Sequence, residues 1–494
     1  MSFSSSLASF RFCFSRTQLI FAAVFLLLNI ALMNHANYSQ PYPGGPLVSP
    51  TYLTAADGQR YWGVAISLAE RGSFSVPPLW DSRPEYPLAR SGPLTALIYS
   101  VPIRLVGFEQ AAYWIVLLQC AFLYVIALTA RVLAPPLRAN PSVLQGLILF
   151  NPNLIGLSHV AQSDLFFAGV FTLFLCYLTK FLLSDSVLRY SSFMVLALLL
   201  GMLTMIRDIG VLFSVFFPFL LVAVIALSPI SFRLVARKLA VGILLGTLVY
   251  CVVVAPWTIR NYIVFGHLSP TAGQVQQVLH YNYKKIRSIG TDGPDVAHES
   301  YINAKVTHAL QRVGRVDCAP GPKENPSEDC NQPLRDAYLA SILAEPKTLI
   351  AAAALSAAGR TLFSGGILRI SDYLGFSEIE KTALIVDSRL TVSHLTTYIS
   401  RTFSSGYQQI TTAILCLSFV LLTRLSGFSG LLYSLIRQSD KRYLVALHGL
   451  VIAFFLLVYF AISTSRFRAP LEPILMLYTA VGIHMLSGWA KKKS

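Results

Sequence analysis

The chain has 494 residues and a formal net charge of +16, with 54% hydrophobic and only 13% charged residues. A soluble domain carries about 25% charged residues, so a bilayer must cover much of this surface. The basic excess falls in alternate gaps between apolar runs, at Arg11 and Arg16, Arg131 and Arg138, Lys180 and Arg189, Arg233, Arg237 and Lys238, Arg424, Arg437, Lys441 and Arg442, and Lys491 to Lys493. That is the positive-inside pattern of a multi-pass membrane protein, and it removes nucleic acid as the partner for the charge.

Taken in chain order, the first apolar run, 19–33, reads as a retained helix with its N-terminus inside, because no small-x-small cleavage site follows it. A polar outer loop over 34–109 contains two amphipathic helical patterns, 57–71 and 94–106, suited to the membrane interface. Spans are then predicted at 111–131, 143–161, 165–183, 192–207, 209–228 and 239–257. A large outer region, 258–406, follows; its polar part, to Pro346, holds nine of the 23 acidic residues. Its later part, 349–400, is moderately apolar and is expected to lie on or re-enter the membrane. Spans at 407–427, 443–463 and 469–489 complete an all-α polytopic fold of about ten crossings, each near the 20 residues that 30 Å of hydrocarbon requires. Three units result: an N-terminal transmembrane module (1–257), the outer region (258–406) and a C-terminal transmembrane module (407–494), with both termini cytoplasmic. Most of the seven cysteines read as small hydrophobes, whereas Cys318 and Cys330 share a polar outer segment and are either free thiols or a disulfide facing an oxidising compartment.

Ionisable residues in such a chain are few, and this topology gathers the informative ones on the outer side. Asp57, Arg60 and Tyr61 lie one turn apart on a helix face, although an N-terminal cap is the simpler use of Asp57. Arg83 and Arg90 add cations in a Pro-rich loop that is otherwise a solvated juxtamembrane segment. Asp164 stands at an outer hinge between two spans, where capping and function are equally served, and Arg207–Asp208 reads as an ion pair at the membrane edge. Arg260 and Asn261 follow one span, and Arg466 and Arg468 occupy a short outer hairpin, against the positive-inside bias. A guanidinium fork matches phosphate oxygens, while the flanking Trp257 also fits plain interface anchoring.

In this order, the blocks resemble the GT-C membrane glycosyltransferases, in particular glycosyltransferase family 39, which contains the protein O-mannosyltransferases and the aminoarabinose–lipid A transferase. The matching segments are Asp57-Gly58-Gln59-Arg60-Tyr61, Leu68 to Phe74, Arg83 to Leu105, Pro256 to Gly266 and Ser465 to Pro473. Gly58 stands where the family pattern has a second acid, which argues against a metal there. The resemblance implies a polyprenyl-phosphate sugar as donor, a lipid, glycan or protein hydroxyl as acceptor, and inversion at the anomeric carbon. It implies Asp57 as general base and Asp164 as a second polar anchor for sugar, acceptor or a divalent cation. Arg60, Arg83, Arg90, Arg466 and Arg468 would neutralise the leaving phosphate, with Tyr61, Arg260 and Asn261 completing the substrate site; no cofactor or nucleotide is required. Membrane lipids are the surrounding partner, and a bacterial inner membrane is expected, with the endoplasmic reticulum as the other home for such chemistry. A lipid-linked glycan polymerase or ligase would use similar substrates, whereas a transporter or flippase would place its ionisable groups near mid-membrane.

Overall fold

The computed structural model describes residues 15–35, 58–76, 86–87, 92–183, 189–228, 232–266, 268–270, 274–290, 295–320, 330–364, 407–460 and 465–493. Asp57, Arg83 and Arg90, and the apolar stretch beyond residue 364, lie outside these residues. The described fold is helical, with one two-stranded antiparallel ribbon, β1 (Ser75–Val76) and β2 (Tyr86–Pro87).

The first long helix, α1, spans Arg16–His35. The two helical patterns of the first outer loop form α2 (Gly58–Arg71) and α3 (Leu94–Val106). They pack together and bury Trp62, Ala65 and Tyr99. Helix α4 (Phe108–Ala130) then crosses. The segment expected to span at 143–161 is instead two short helices, α5 (Pro141–Leu149) and α6 (Pro152–Ser158). Each opens with an Asn-Pro pair. The side chains of Asn140 and Asn151 accept backbone hydrogen bonds from the next turn, and the proline that follows has no donor to lose at that position. Two strong start signals therefore break an apolar run that hydropathy alone reads as continuous. The pair still carries the chain along the bundle, from Leu137, whose carbonyl accepts from Gln438 at 2.9 Å, to the end where Asp164 sits.

Helices α7 (Asp164–Leu183), α8 (Tyr190–Ile206), α9 (Ile209–Leu227) and α10 (Phe232–Phe265) follow. At about 1.5 Å per residue, α10 far outreaches the roughly 30 Å hydrocarbon core, so the unit boundary placed at 257 falls inside a continuous helix. The C-terminal module contains α15 (Tyr407–Arg437), α16 (Arg442–Val458), a 3₁₀ turn at Ser465–Leu471 and α17 (Glu472–Lys493). Among the described residues, eight helices are long and apolar enough to cross a bilayer, or nine if one bent pair counts as a span. With the 17-residue apolar α8, this is the polytopic helical architecture the sequence announces. Its core is aromatic: Phe171 and Phe213 meet edge-on with ring centroids 5.1 Å apart, and Phe171 meets Phe455 likewise at 5.2 Å. Helices α15 and α17 approach so closely that a Cβ at Gly430 would lie 2.0 Å from the Tyr478 carbonyl oxygen, and one at Gly482 would lie 2.0 Å from that of Ser426.

The outer region forms a subdomain of α11 (Gln274–Gly290), α12 (Asp295–Arg312), α13 (Asn331–Leu343) and α14 (Lys347–Phe363). Cys318 and Cys330 are joined by a disulfide and pack with Ile302, Leu310 and Tyr338 in its small core. Helices α13 and α14 meet at an angle of 102°. At that elbow the buried Glu345 accepts from the Tyr283 hydroxyl at 2.9 Å, Arg287 at 3.1 Å and the Tyr301 hydroxyl at 3.3 Å. Burial and the bond to Glu345 raise the Tyr283 pKa well above the phenol range. Burial also holds the His280 imidazole, 3.1 Å from the Tyr338 hydroxyl, below its ordinary range.

Candidate functional site

Asp164 is the first residue of α7 and is 2% exposed. A carboxylate at this position faces the positive end of the helix dipole, but its stronger partners come from elsewhere in the chain. Arg207, at the α8–α9 turn, forms an ion pair with Oδ1. Arg466, in the 3₁₀ turn, places Nε 3.0 Å from Oδ2 and 3.2 Å from Oδ1. Phe467 lies between the two cations, 5.8 Å from the Arg207 guanidinium and 5.4 Å from that of Arg466, and its other neighbour is Tyr459, stacked at 4.2 Å. Two guanidinium groups thus share one carboxylate on an aromatic ring, and both keep partial access to solvent.

Local sequence explains the convergence. Arg207-Asp208 interrupts an otherwise apolar stretch and ends α8. The turn to α9 is tight because Gly210 lies against the α8 backbone, where a Cβ would come within 2.4 Å of Thr204 N. Arg207, expected to pair with Asp208 at the membrane edge, also pairs with Asp164, because the fold brings α7 alongside the end of α8.

Beside Asp164, the Ser163 hydroxyl is 3.0 Å from that of Tyr61, one turn into α2. Arg60 is half-buried on the same turn. The Tyr99 hydroxyl is 2.9 Å from both the Gln162 carbonyl oxygen and Gln119 Oε1, and Gln119 Nε2 donates to the Ser158 carbonyl at 3.0 Å. Behind them Asn29 Oδ1 lies 2.9 Å from His159 Nε2, tying α1 to the end of α6. This buried polar network fixes the 158–164 segment from four helices and so holds Asp164 in place.

The remaining site candidates are placed apart from Asp164. Arg260 donates to the Phe74 carbonyl at 3.2 Å and to Asn261 Oδ1 at 3.0 Å, with its guanidinium 4.6 Å from the Trp257 ring. Trp257 in turn meets Phe74 edge-on at 5.2 Å, and Asn261 donates to the Ser269 carbonyl at 3.0 Å. These residues anchor the first outer loop to the extension of α10. Arg468, read from the resemblance as a phosphate ligand, is more deeply enclosed. It is 1% exposed, pairs with Glu472, and directs Nη1 at the carbonyl oxygens of Thr361, Leu362 and Ser364 at 2.7, 3.2 and 2.9 Å. Its Nε and Nη1 are both engaged within the protein.

Arg424 also departs from its expected inside position. Helix α15 runs past it to Arg437, and it lies buried against Glu472 at 3.2 Å. Counted as a loop cation by charge alone, it lies within a continuous helix and partners a buried acid. For metals, the described residues bring Asp317, Cys318 and Cys330 together, but the disulfide leaves no thiolate there.

No protein family and no curated protein matches the chain in sequence. Among solved structures, it is similar to the oligosaccharyltransferase AglB of Archaeoglobus fulgidus in complex with an inhibitory peptide and a dolichol-phosphate. That likeness has a TM-score of 0.48 and 13% identity over 94% of this chain and 50% of AglB, so the chain spans half the length of that relative. It is also similar to ArnT of Cupriavidus metallidurans bound to undecaprenyl phosphate, with a TM-score of 0.38 and 13% identity over 94% of this chain and 77% of ArnT. At 13% identity neither assigns a role to any residue of this chain.

Proposed function

We propose that this protein transfers a sugar from a polyprenyl-phosphate-linked donor to a hydroxyl of a lipid, glycan or protein acceptor, on the non-cytoplasmic face of a bacterial inner membrane. The observation that carries this reading is the convergence of Arg207 and Arg466 on Asp164 at one end of a membrane-spanning bundle. Two guanidinium groups that share one carboxylate and stay 12–15% exposed leave a net positive charge, which a phosphate arriving beside Asp164 would balance.

In this scheme Asp57, the residue before α2, takes the proton of the acceptor hydroxyl. The acceptor oxygen bonds to the anomeric carbon from the face opposite the phosphate. The bond from that carbon to the phosphate oxygen breaks, the configuration inverts, and polyprenyl phosphate leaves with the electron pair. Arg207 and Arg466 meet the charge that builds on the phosphate, with Arg60, Arg83 and Arg90 adding to the positive field. Tyr61, through Ser163, couples the base-bearing helix to the Asp164 turn. For the apolar tail, a cavity of about 210 Å³ lies between α8, α9 and α10, bounded by Leu200, Phe217 and Gly246 among others. The lining of this cavity includes Tyr250, whose hydroxyl lies 3.1 Å from that of Thr204, one turn before Arg207.

The test is incubation of the purified protein with a labelled polyprenyl-phosphate sugar and a membrane extract. Label should move to an acceptor, and Asp57→Asn should lower the rate by about 10²- to 10⁴-fold while expression holds, the range of a lost general base. Near-normal transfer by Asp57→Asn removes the assignment of the base.

A further inference from the structure

The second charged cluster has no part in the scheme above, yet it is the most deeply buried one described. Glu472 is 0% exposed and receives Arg468 on Oε1 and Arg424 on Oε2. Two cations against one carboxylate leave an excess positive charge, which burial would make prohibitive without a further acceptor. That acceptor is the end of α14. The last carbonyls of a helix lack partners and carry the negative end of its dipole. Arg468 takes those of Thr361, Leu362 and Ser364, while Arg424 Nε adds a second bond to Leu362 at 2.8 Å.

The consequence is mechanical. Helix α14 is pinned at both ends by buried charge. Its elbow is held to α11 and α12 through Glu345, and its far end to the membrane bundle through Arg468 and Arg424. Arg468 lies two residues after Arg466 in the same 3₁₀ turn. Phe460, between α16 and that turn, packs with Ile286 of α11 and Ala353 of α14. We propose that Arg468, Arg424 and Glu472 form a latch that fastens the 465–471 turn to the end of α14, so that the outer subdomain sets the position of Arg466. The three are positioning residues. The inference rests on the proposed transfer reaction only for what Arg466 does, not for how Arg466 is held.

The experiment therefore reads position rather than catalysis. In full-length protein with Cys13 and Cys251 replaced by serine, a reporter thiol is introduced as Arg466→Cys, and a control thiol as Val313→Cys at an exposed site of the outer subdomain. Arg468→Lys keeps the charge but cannot reach Glu472 through one nitrogen and the three carbonyls through another, as Nε and Nη1 do. It should speed maleimide labelling at position 466 about tenfold, the factor expected when an opening step loses one hydrogen bond to a charged group. Labelling at position 313 should be unchanged. Arg424→Lys, which loses the bond to Leu362, should act in the same direction more weakly. An unchanged rate at 466 in both variants overturns the latch, and so does an equal rise at 466 and 313, which would mean general loosening. If the protein transfers no sugar from any lipid-linked donor but labelling follows this pattern, the latch stands and the reaction scheme falls.

Discussion

Two clusters of identical composition share one turn of this protein and differ in their surroundings. Each has one carboxylate and two arginines, and each draws an arginine from the same 3₁₀ turn. Around Asp164 the arginines are 12–15% exposed and flank an aromatic ring. Around Glu472 they are 1–8% exposed and bonded to a helix end. Charge type therefore does not identify a binding site. What separates the two is burial: the Asp164 arginines keep contact with solvent, whereas the Glu472 pair is enclosed.

Neutralising each carboxylate is the strongest way to break this comparison. Glu472→Gln should cost about 3–5 kcal/mol, because it strands two buried cations. Asp164→Asn should cost about 1–3 kcal/mol, because water can still reach its arginines. Unfolding midpoints in detergent measure both, and equal losses would erase the distinction. Reduction of Cys318–Cys330 should loosen the outer subdomain by roughly 3 kcal/mol, seen as faster proteolysis within α11 to α13, while α15 to α17 keep their resistance. Arg466→Ala should raise the donor KM about tenfold or more, as expected for a lost charged hydrogen bond, with little change in stability; normal donor saturation would leave that arginine only a structural role.

The smallest expected effect is a pH dependence in the outer subdomain. His280 faces Glu299 at 3.9 Å, Lys284 and Tyr338, and its folded-state pKa is lowered chiefly by burial. A lowered imidazole pKa favours the neutral form in the folded protein. Its stabilisation is complete above the unfolded value near 6.5 and fades as pH falls through the folded value. Hydrogen exchange in α11 and α13 should therefore quicken on acidification below about pH 6, and His280→Gln should flatten that response.

Much of the fold was legible in the chain because bilayer thickness acts on contiguous sequence. The runs beginning near Leu19, Ala111, Leu165 and Ile209 became helices within a few residues of their expected bounds. Both helical patterns of the first outer loop formed where their spacing placed them, as α2 and α3. The run at 143–161 failed because hydropathy averages over Asn151-Pro152, where a cap and a missing donor restart the helix. Arg424 was read as a loop cation because counting charges assumes that a helix ends at its first one, whereas α15 continues past it and Arg424 pairs with Glu472.

Of the site, the sequence by itself determined the inventory: a helical membrane protein with scarce ionisable groups, and Asp164 and Arg466 among the few that orientation bias does not explain. Only the tertiary structure decided the pairing. It joined Asp164 to Arg207 and Arg466 across 43 and 302 residues of chain, and it withdrew Arg468 into a latch with Glu472. The physical reason is range. Hydrophobic periodicity and capping act within a turn or a span and can be read locally, whereas a guanidinium takes whichever carboxylate or carbonyl the packing of distant helices brings within about 3 Å.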